Sequence, residues 1–228
     1  SNVTVAAGMI RAGSTTARGL GEFGQSGHAV AGAEGVSPNV VWEPWNVPRQ
    51  EREDRAGQKA AVVWFTGVSG AGKSTIARAL ERRLWESGRQ TMLLDGDQLR
   101  HGLNRDLGFG DGDRAENIRR VGEVARLFFE HGNIVLCTFV SPWARDREAV
   151  RGLLPEGRFV EVHVHCDREI TERRDPKGLY AKARRGELKG LTGYDGAYEA
   201  PVDPALSIDT GEVGVEEAVE RLVSLLGV

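Results

Sequence analysis

The 228-residue chain carries 30 lysines and arginines against 33 aspartates and glutamates, a formal charge of −3, and is 40% apolar. That length fits one domain with a short extension, and that apolar fraction can build a core. No run approaches the ~18 consecutive apolar residues of a membrane span, no apolar stretch follows basic residues at the N-terminus as in a secretory signal, and the near-balanced charge argues against a general nucleic-acid or anionic-membrane binder.

Residues 1–37 are dominated by Gly, Ala, Ser and Thr, with Phe23 the one aromatic among them. Such a composition buries too little apolar surface to offset ordering entropy, so it reads as a tail or linker ahead of a domain at 38–228. Residues 40–59 read as a short extended piece followed by a charged helical turn. From Ala60 the pattern becomes regular. Apolar runs at 61–66, 91–95, 134–139, 159–164 and 206–209 are strand-length, and near-continuous apolar strands are buried on both faces, as in a parallel sheet. Helical segments lie between them at 74–86, 114–131, 143–154, 168–174 and 215–226. In the second, Ile118, Val121, Ala125 and Phe128 recur at helix spacing and define an inward face. The alternation predicts an α/β fold in three layers: a doubly wound, mainly parallel, five-stranded sheet. Cys137 and Cys166 both lie in strand runs, which predicts buried free thiols in a reducing cytosol rather than a disulfide or metal pair.

The first strand runs directly into Gly67-Val68-Ser69-Gly70-Ala71-Gly72-Lys73-Ser74, followed by Thr75 and a helix. This fits G-x-x-x-x-G-K-[ST] in the strand–loop–helix setting the motif requires. Its glycines let successive backbone N–H groups turn toward phosphate oxygens, and the helix N-terminus adds positive potential. Lys73 is expected on the β- and γ-phosphates of ATP and the Ser74 hydroxyl on Mg²⁺. GTPases and motor ATPases usually add an Asp at the end of a buried strand. The third strand here ends Thr138-Phe139-Val140-Ser141-Pro142, without a carboxylate, and the acids stand after the second strand as Asp95-Gly96-Asp97. A carboxylate at that strand end faces the crevice where an acceptor hydroxyl would lie, which suits a small-molecule kinase with Asp97 as proton acceptor or Mg²⁺-water ligand. The plainer reading of Asp97 is the cap of a helix starting at Gln98.

Beyond Asp97 stand Arg100, Asn104, Phe109, Arg114 and Asn117. Arg114 and Asn117 are three apart and share a helix face. The arginines suit a phosphate or sulfate oxyanion, and Phe109 could stack on a base. Residues 168–189 hold eight basic and four acidic side chains, broken by glycines at 178, 186, 190 and 193. That pattern predicts a helical lid closing over phosphates.

These residues together resemble the adenosine-5′-phosphosulfate (APS) kinase, or adenylylsulfate kinase, family of sulfate activation. Beyond the generic phosphate loop, the resemblance is carried by Asp95-Gly96-Asp97, Arg100 to Phe109, Arg114-Ala115-Glu116-Asn117-Ile118-Arg119-Arg120, Ser141-Pro142 and Asp175-Pro176-Lys177-Gly178-Leu179-Tyr180, and it covers the chain from about Val40. It implies a P-loop kinase fold with a lid, and transfer of the ATP γ-phosphoryl to the 3′-hydroxyl of APS. It also implies Asp97, Arg100, Arg114 and Asn117 as APS contacts, Phe109 as one face of an adenine clamp, and Lys177 reaching the phosphosulfate. Val140 and Ser141 would line the APS pocket. Ser141 matches a serine phosphorylated in some members, although in-line transfer needs no protein intermediate. Leu191, followed by Thr192, stands where the family usually has Phe, so the second face of the clamp would be aliphatic. Trp143 stands where Phe or Tyr commonly follows Ser-Pro. The resemblance further implies a cytoplasmic homodimer with a possible sulfurylase partner. Two other readings stay open: a kinase of a related nucleotide or sugar-phosphate acceptor, motivated by Leu191, and a non-catalytic module of a sulfurylase system, against which Lys73, Ser74, Asp97 and Lys177 stand intact.

Overall fold

Strand β1 (Ala61–Thr66) is buried at all six positions. Val63 and Phe65 enter one apolar layer and Val62 and Trp64 the other, so the run is continuous rather than alternating. The computed structural model describes Asn39 and residues 43–228, and the tail expected at 1–37 lies outside them. Apart from Asn39, the described residues belong to one compact unit that runs to Val228.

With β1 run β2 (Thr91–Asp95), β3 (Ile134–Thr138), β4 (Phe159–His165) and β5 (Leu206–Asp209), in the order β2-β3-β1-β4-β5. Every pairing is parallel. The chain leaves β1 for one edge, returns through β3, and then crosses to β4 and β5. The winding therefore reverses beside β1, and a crevice opens at the carboxyl ends of the strands. The registers set Asp95 and Phe65 on either side of Thr138 along that edge.

The helices are α1 (Arg49–Ala56), α2 (Lys73–Glu86), α3 (Gly96–Arg100), α4 (Asp111–Glu130), α5 (Ala144–Arg151), α6 (Arg168–Arg174), α7 (Leu179–Arg184) and α8 (Val215–Leu226). Residues of α2 and α8 fill the apolar layer on one face of the sheet, and residues of α4 and α5 fill the other. The inward stripe of α4 is Ile118, Val121, Ala125 and Phe129, the last replacing the expected Phe128, which is only partly buried. An i+4 step from Ala125 keeps that side chain on the stripe, while i+3 leaves it at the margin. The helix also starts at Asp111, before the expected Arg114, with Gly110 at the cap position and Asp111 and Asp113 in the first turn, where carboxylates favour the helix dipole.

The two cysteines are free. Cys137 is buried and burial pushes its thiol up, but Cys166, just past the end of β4, is only half-buried. The expectation of two buried thiols therefore holds for the first alone. Among the described residues no helix is long and apolar enough to cross a membrane.

Candidate active site

A cleft of about 890 Å³ opens at the carboxyl ends of the strands. The 67–75 loop forms its floor, and the turn ends tightly against the sheet. Gly67 has φ 146°, and a Cβ there would sit 2.0 Å from the Val164 carbonyl oxygen, so no side chain fits. Helix α2 starts from Gly72 with no side-chain cap and no acid in its first turn. Its leading N–H groups are thus left for an anion. Lys73 Nζ donates to the carbonyls of Gly67 and Val68, both at 2.8 Å. Its pKa falls to about 8, chiefly through burial and then through the Lys177 charge, with Asp97 and Asp95 opposing. Ser69, Gly70, Gly72, Ser74 and Thr75 also face the cleft. Gly67, Val68 and Ala71 do not line it; their carbonyls instead hold Lys73 and the Thr210 hydroxyl.

Asp95, which the sequence reading left without a role of its own, is the acid next to this loop. It is buried, and it accepts from Ser74 Oγ at 2.8 Å, Thr138 Oγ1 at 3.0 Å and the Asp97 N–H at 3.0 Å. Burial pushes its carboxyl up, but the donated hydrogen bonds outweigh it and hold the group below the usual carboxylate range. Asp95 is also the N-cap of α3, so Asp97 is not a capping residue: the helix begins at Gly96, and Asp97 lies in its first turn with its carboxylate exposed. That carboxylate pairs with Lys177 from the lid.

Arg100, Phe109, Arg114 and Asn117 form one wall. The Arg100 guanidinium lies 4.3 Å and that of Arg114 5.7 Å from the centroid of Phe109, whose ring is 66% exposed. Arg100 donates to the Leu107 and Gly108 carbonyls, and Arg114 to those of Phe109 and Gly190. Among the described residues no carboxylate forms an ion pair with either arginine, in contrast to Arg120, which is paired to Asp106 and Glu116. Two positive charges beside an exposed ring thus face the cleft without a contact ion pair, balanced only at longer range by Asp113 and Asp97 for Arg100 and by Asp111 for Arg114. Asn104, placed by the sequence reading among these residues, lies behind Asn117 rather than on the wall.

On the far side of the phosphate loop, Arg174 lines the cleft and donates to Thr210 Oγ1 at 2.8 Å and to the Thr210 carbonyl at 2.7 Å. Sequence reasoning missed this pair because the residues stand 36 apart and meet only through the placement of β5 beside β4.

Two short helices, α6 and α7, stand where the sequence reading expects a lid. Asp175 accepts from the Tyr180 and Ala181 N–H groups and so caps α7. Tyr180, Ala183 and Leu191 make a small core of its own, and Tyr180 reaches the Ser69 carbonyl at 2.9 Å. Leu191 is 7% exposed: it borders the cleft, yet most of its side chain belongs to that core. Thr192 is buried beside it. After the lid, Glu199 is fastened to the opposite wall. Its N–H donates to the Pro142 carbonyl, its carboxylate accepts from the Ala144 N–H at 2.7 Å, and its carbonyl accepts from Arg147.

Val140 and Ser141 also line the cleft. Ser141 is 2% exposed and has φ 38°, a left-handed value that favours glycine. Its hydroxyl accepts from Trp64 Nε1 at 3.1 Å and donates to Thr66 Oγ1 at 2.9 Å, while Thr66 donates to the Val140 carbonyl. With its proton committed to Thr66, the hydroxyl anchors the wall. Replacing Ser141 with Ala removes both bonds and strands the buried indole N–H, an expected loss of about 1–3 kcal/mol in urea unfolding. Most of kcat is expected to remain; an inactive variant that still binds both ligands would contradict this placement.

Residues 59–209 match the model of a family described as adenylylsulphate kinase. An adenylyl-sulfate kinase of Vibrio parahaemolyticus is 56% identical over 188 residues, covering 82% of this chain and 92% of that protein. One of Bacillus pumilus is 52% identical over 185 residues, covering 81% and 94%. Among solved structures, the APS kinase of Mycobacterium tuberculosis in complex with AMPPNP and APS matches with TM-score 0.72 and 44% identity, covering 75% of this chain and 99% of that one.

Proposed function

The chain belongs to the adenylylsulphate kinase family, and on that premise we propose that its cleft holds ATP along the 67–75 loop and APS against Arg100, Phe109, Arg114 and Asn117. The activity is that of an ATP-dependent adenylyl-sulfate kinase: the γ-phosphoryl of ATP passes to the 3′-hydroxyl of APS, giving 3′-phosphoadenosine-5′-phosphosulfate and ADP. The observation that supports the placement of the acceptor is the pair of arginines without contact ion pairs beside the exposed Phe109 ring, in the same cleft as Asp97. A planar base can stack on the ring while the guanidinium groups take its anionic substituents. Arg174, Thr210 and Val213 flank the other side of the loop and would take the nucleoside of ATP.

The chemistry asks for little beyond positioning and charge. Backbone N–H groups and Lys73 hold the phosphates, and Asp97 takes the proton of the attacking hydroxyl. Lys177, which pairs with Asp97, would turn to the phosphates as the acceptor hydroxyl takes its place on that carboxylate. The lid excludes water, which would otherwise compete as the nucleophile.

The donor set also suits Mg²⁺. Ser74 Oγ and the ionised Asp95 carboxylate, 2.8 Å apart, are hard oxygen donors next to the phosphate loop. Among the described residues no cluster of three His, Cys, Asp or Glu forms a metal cage, which fits an ion that arrives with the nucleotide. Mg²⁺ bound there supplies charge neutralisation on the phosphate oxygens.

A coupled assay with ATP and Mg²⁺ tests this reading. We expect kcat/KM on APS to exceed that on AMP by orders of magnitude; equal values would remove APS as the acceptor and favour the broader acceptor reading that Leu191 motivates. The homodimer, the cytoplasmic location and a sulfurylase partner remain proposals from the resemblance, the first checked by light scattering at assay concentration.

A further inference from the structure

Asn104 lies in the loop between α3 and α4 and is 0% exposed. Its backbone is held from both sides, N–H to the Leu99 carbonyl and carbonyl from the Leu107 N–H. The loop is in turn tied to α4 by Arg120, which bonds the Leu103 carbonyl and the Asp106 carboxylate. So placed, Asn104 Nδ2 donates at 3.0 Å to Oδ1 of Asn117 on the cleft wall, and Asn104 Oδ1 is left buried with no partner.

The direction of this one bond decides what Asn117 offers. A side-chain amide has a carbonyl end and an NH₂ end. With the carbonyl engaged from behind, the NH₂ is the end left for the cleft. The opposite orientation would bury both N–H groups of Asn104 without an acceptor, and unpaired buried N–H groups are rarer in proteins than under-satisfied carbonyls. The observed orientation leaves Oδ1 and one N–H unpaired, against two unpaired N–H groups in the reverse, so it carries the lesser penalty, and it comes with Asn117 as a donor.

We propose that Asn104 is a positioning residue: by occupying the Asn117 carbonyl it fixes that amide as a hydrogen-bond donor toward an oxygen of the acceptor nucleotide, and so selects an acceptor whose facing group is a phosphate, sulfate or ribose oxygen. The proposal rests on the placement of APS against Asn117 given above. Reversed, Asn117 would turn a carbonyl toward an anion and repel it.

Asn104→Asp keeps the shape but removes the donor. The introduced carboxylate can only accept, so it draws the Asn117 NH₂ inward and turns the carbonyl toward the cleft. The expected result is a roughly 10- to 100-fold rise in KM for APS, the ratio that losing a hydrogen bond to a charged group produces, with KM for ATP and kcat little changed. Burial raises a carboxyl pKa, and the nearest cation on α4, Arg120 on the Leu103 carbonyl, is already paired with Asp106 and Glu116. Once protonated, the introduced group is again a donor, so the KM defect shrinks as the pH is lowered, whereas a packing defect has no reason to follow pH. In an Asn117→Ala background Asn104→Asp adds nothing. Asn117→Asp, which still accepts from Asn104 but offers the cleft no donor, shows the same rise and covers the case in which Asn104→Asp fails to fold. An unchanged KM in Asn104→Asp, a defect that is flat with pH, additivity with Asn117→Ala, or normal APS affinity in Asn117→Asp overturns the relay. Asn117→Ala with wild-type KM for APS overturns the placement of the acceptor, and the relay with it; a raised KM there alongside a normal Asn104→Asp enzyme overturns the relay alone.

Discussion

Lys73→Ala is expected to lower kcat by about 10²- to 10³-fold, the range for deleting one preorganised donor that stabilises transition-state charge, while APS binding is retained. The ammonium is held by two carbonyls, not a carboxylate, so its charge is undiminished where the phosphates arrive. Burial, which leaves its pKa at about 8, adds a pH signature. Above pH 8 the free enzyme loses this charge, so kcat/KM for ATP declines there in the wild type, and the variant lacks that limb. Stability moves the other way. Below pH 8 both folded and unfolded chains carry the proton, and the fold bears the full cost of burying the cation. Between 8 and the ordinary 10.5 the folded chain releases it first, so stability rises with pH across that window. Lys73→Met, similar in length but uncharged, is therefore expected to unfold at higher urea than the wild type at about pH 7 while being nearly inactive. A Lys73→Ala enzyme with more than roughly a tenth of wild-type kcat would remove this lysine from the reaction.

Asp97→Asn is the second large effect: kcat about 10²- to 10⁴-fold lower, as expected for loss of a general base, with KM for ATP close to normal. Asparagine keeps the size and a hydrogen bond to the lid but cannot take a proton. The ion pair with Lys177 is exposed at both ends, so its loss should leave the denaturation midpoint almost where it was. Retained turnover would shift the proton-acceptor role to another group, and Asp95, bound by Ser74 and Thr138, is the next carboxylate in the cleft.

Local pattern made some of this legible in advance and left the rest hidden. β1, β2 and β5 have the spans their apolar runs predict, as do α6 and α8, and the glycine loop declares its own backbone. The capping role expected of Asp97 belongs to Asp95, two positions earlier, because which one caps depends on where α3 begins, and a five-residue helix leaves no periodic trace. That Asn104 stands behind Asn117 was hidden for a similar reason. Only the Arg120 ties that fold the 101–109 loop against α4 place one behind the other. The expected aliphatic clamp face at Leu191 was a statement about the cleft, yet the side chain spends itself mainly inside the lid, against Tyr180 and Ala183. Residues brought together by topology, such as Arg174 and Thr210, carry no spacing signal at all.

The bonds of Glu199 give the lid a handedness. Helix α5 has no side-chain cap of its own from Trp143, and Glu199 reaches back 55 positions to supply one while also gripping Pro142 and Arg147. The visor over the cleft is thus riveted through Glu199 on the side of α5, and its other ties are separate side-chain contacts: Tyr180 on the Ser69 carbonyl, Lys177 on Asp97 and Arg174 on Thr210. Those three can be broken one side chain at a time, whereas freeing the Glu199 edge also strips the N-terminus of α5 of its cap.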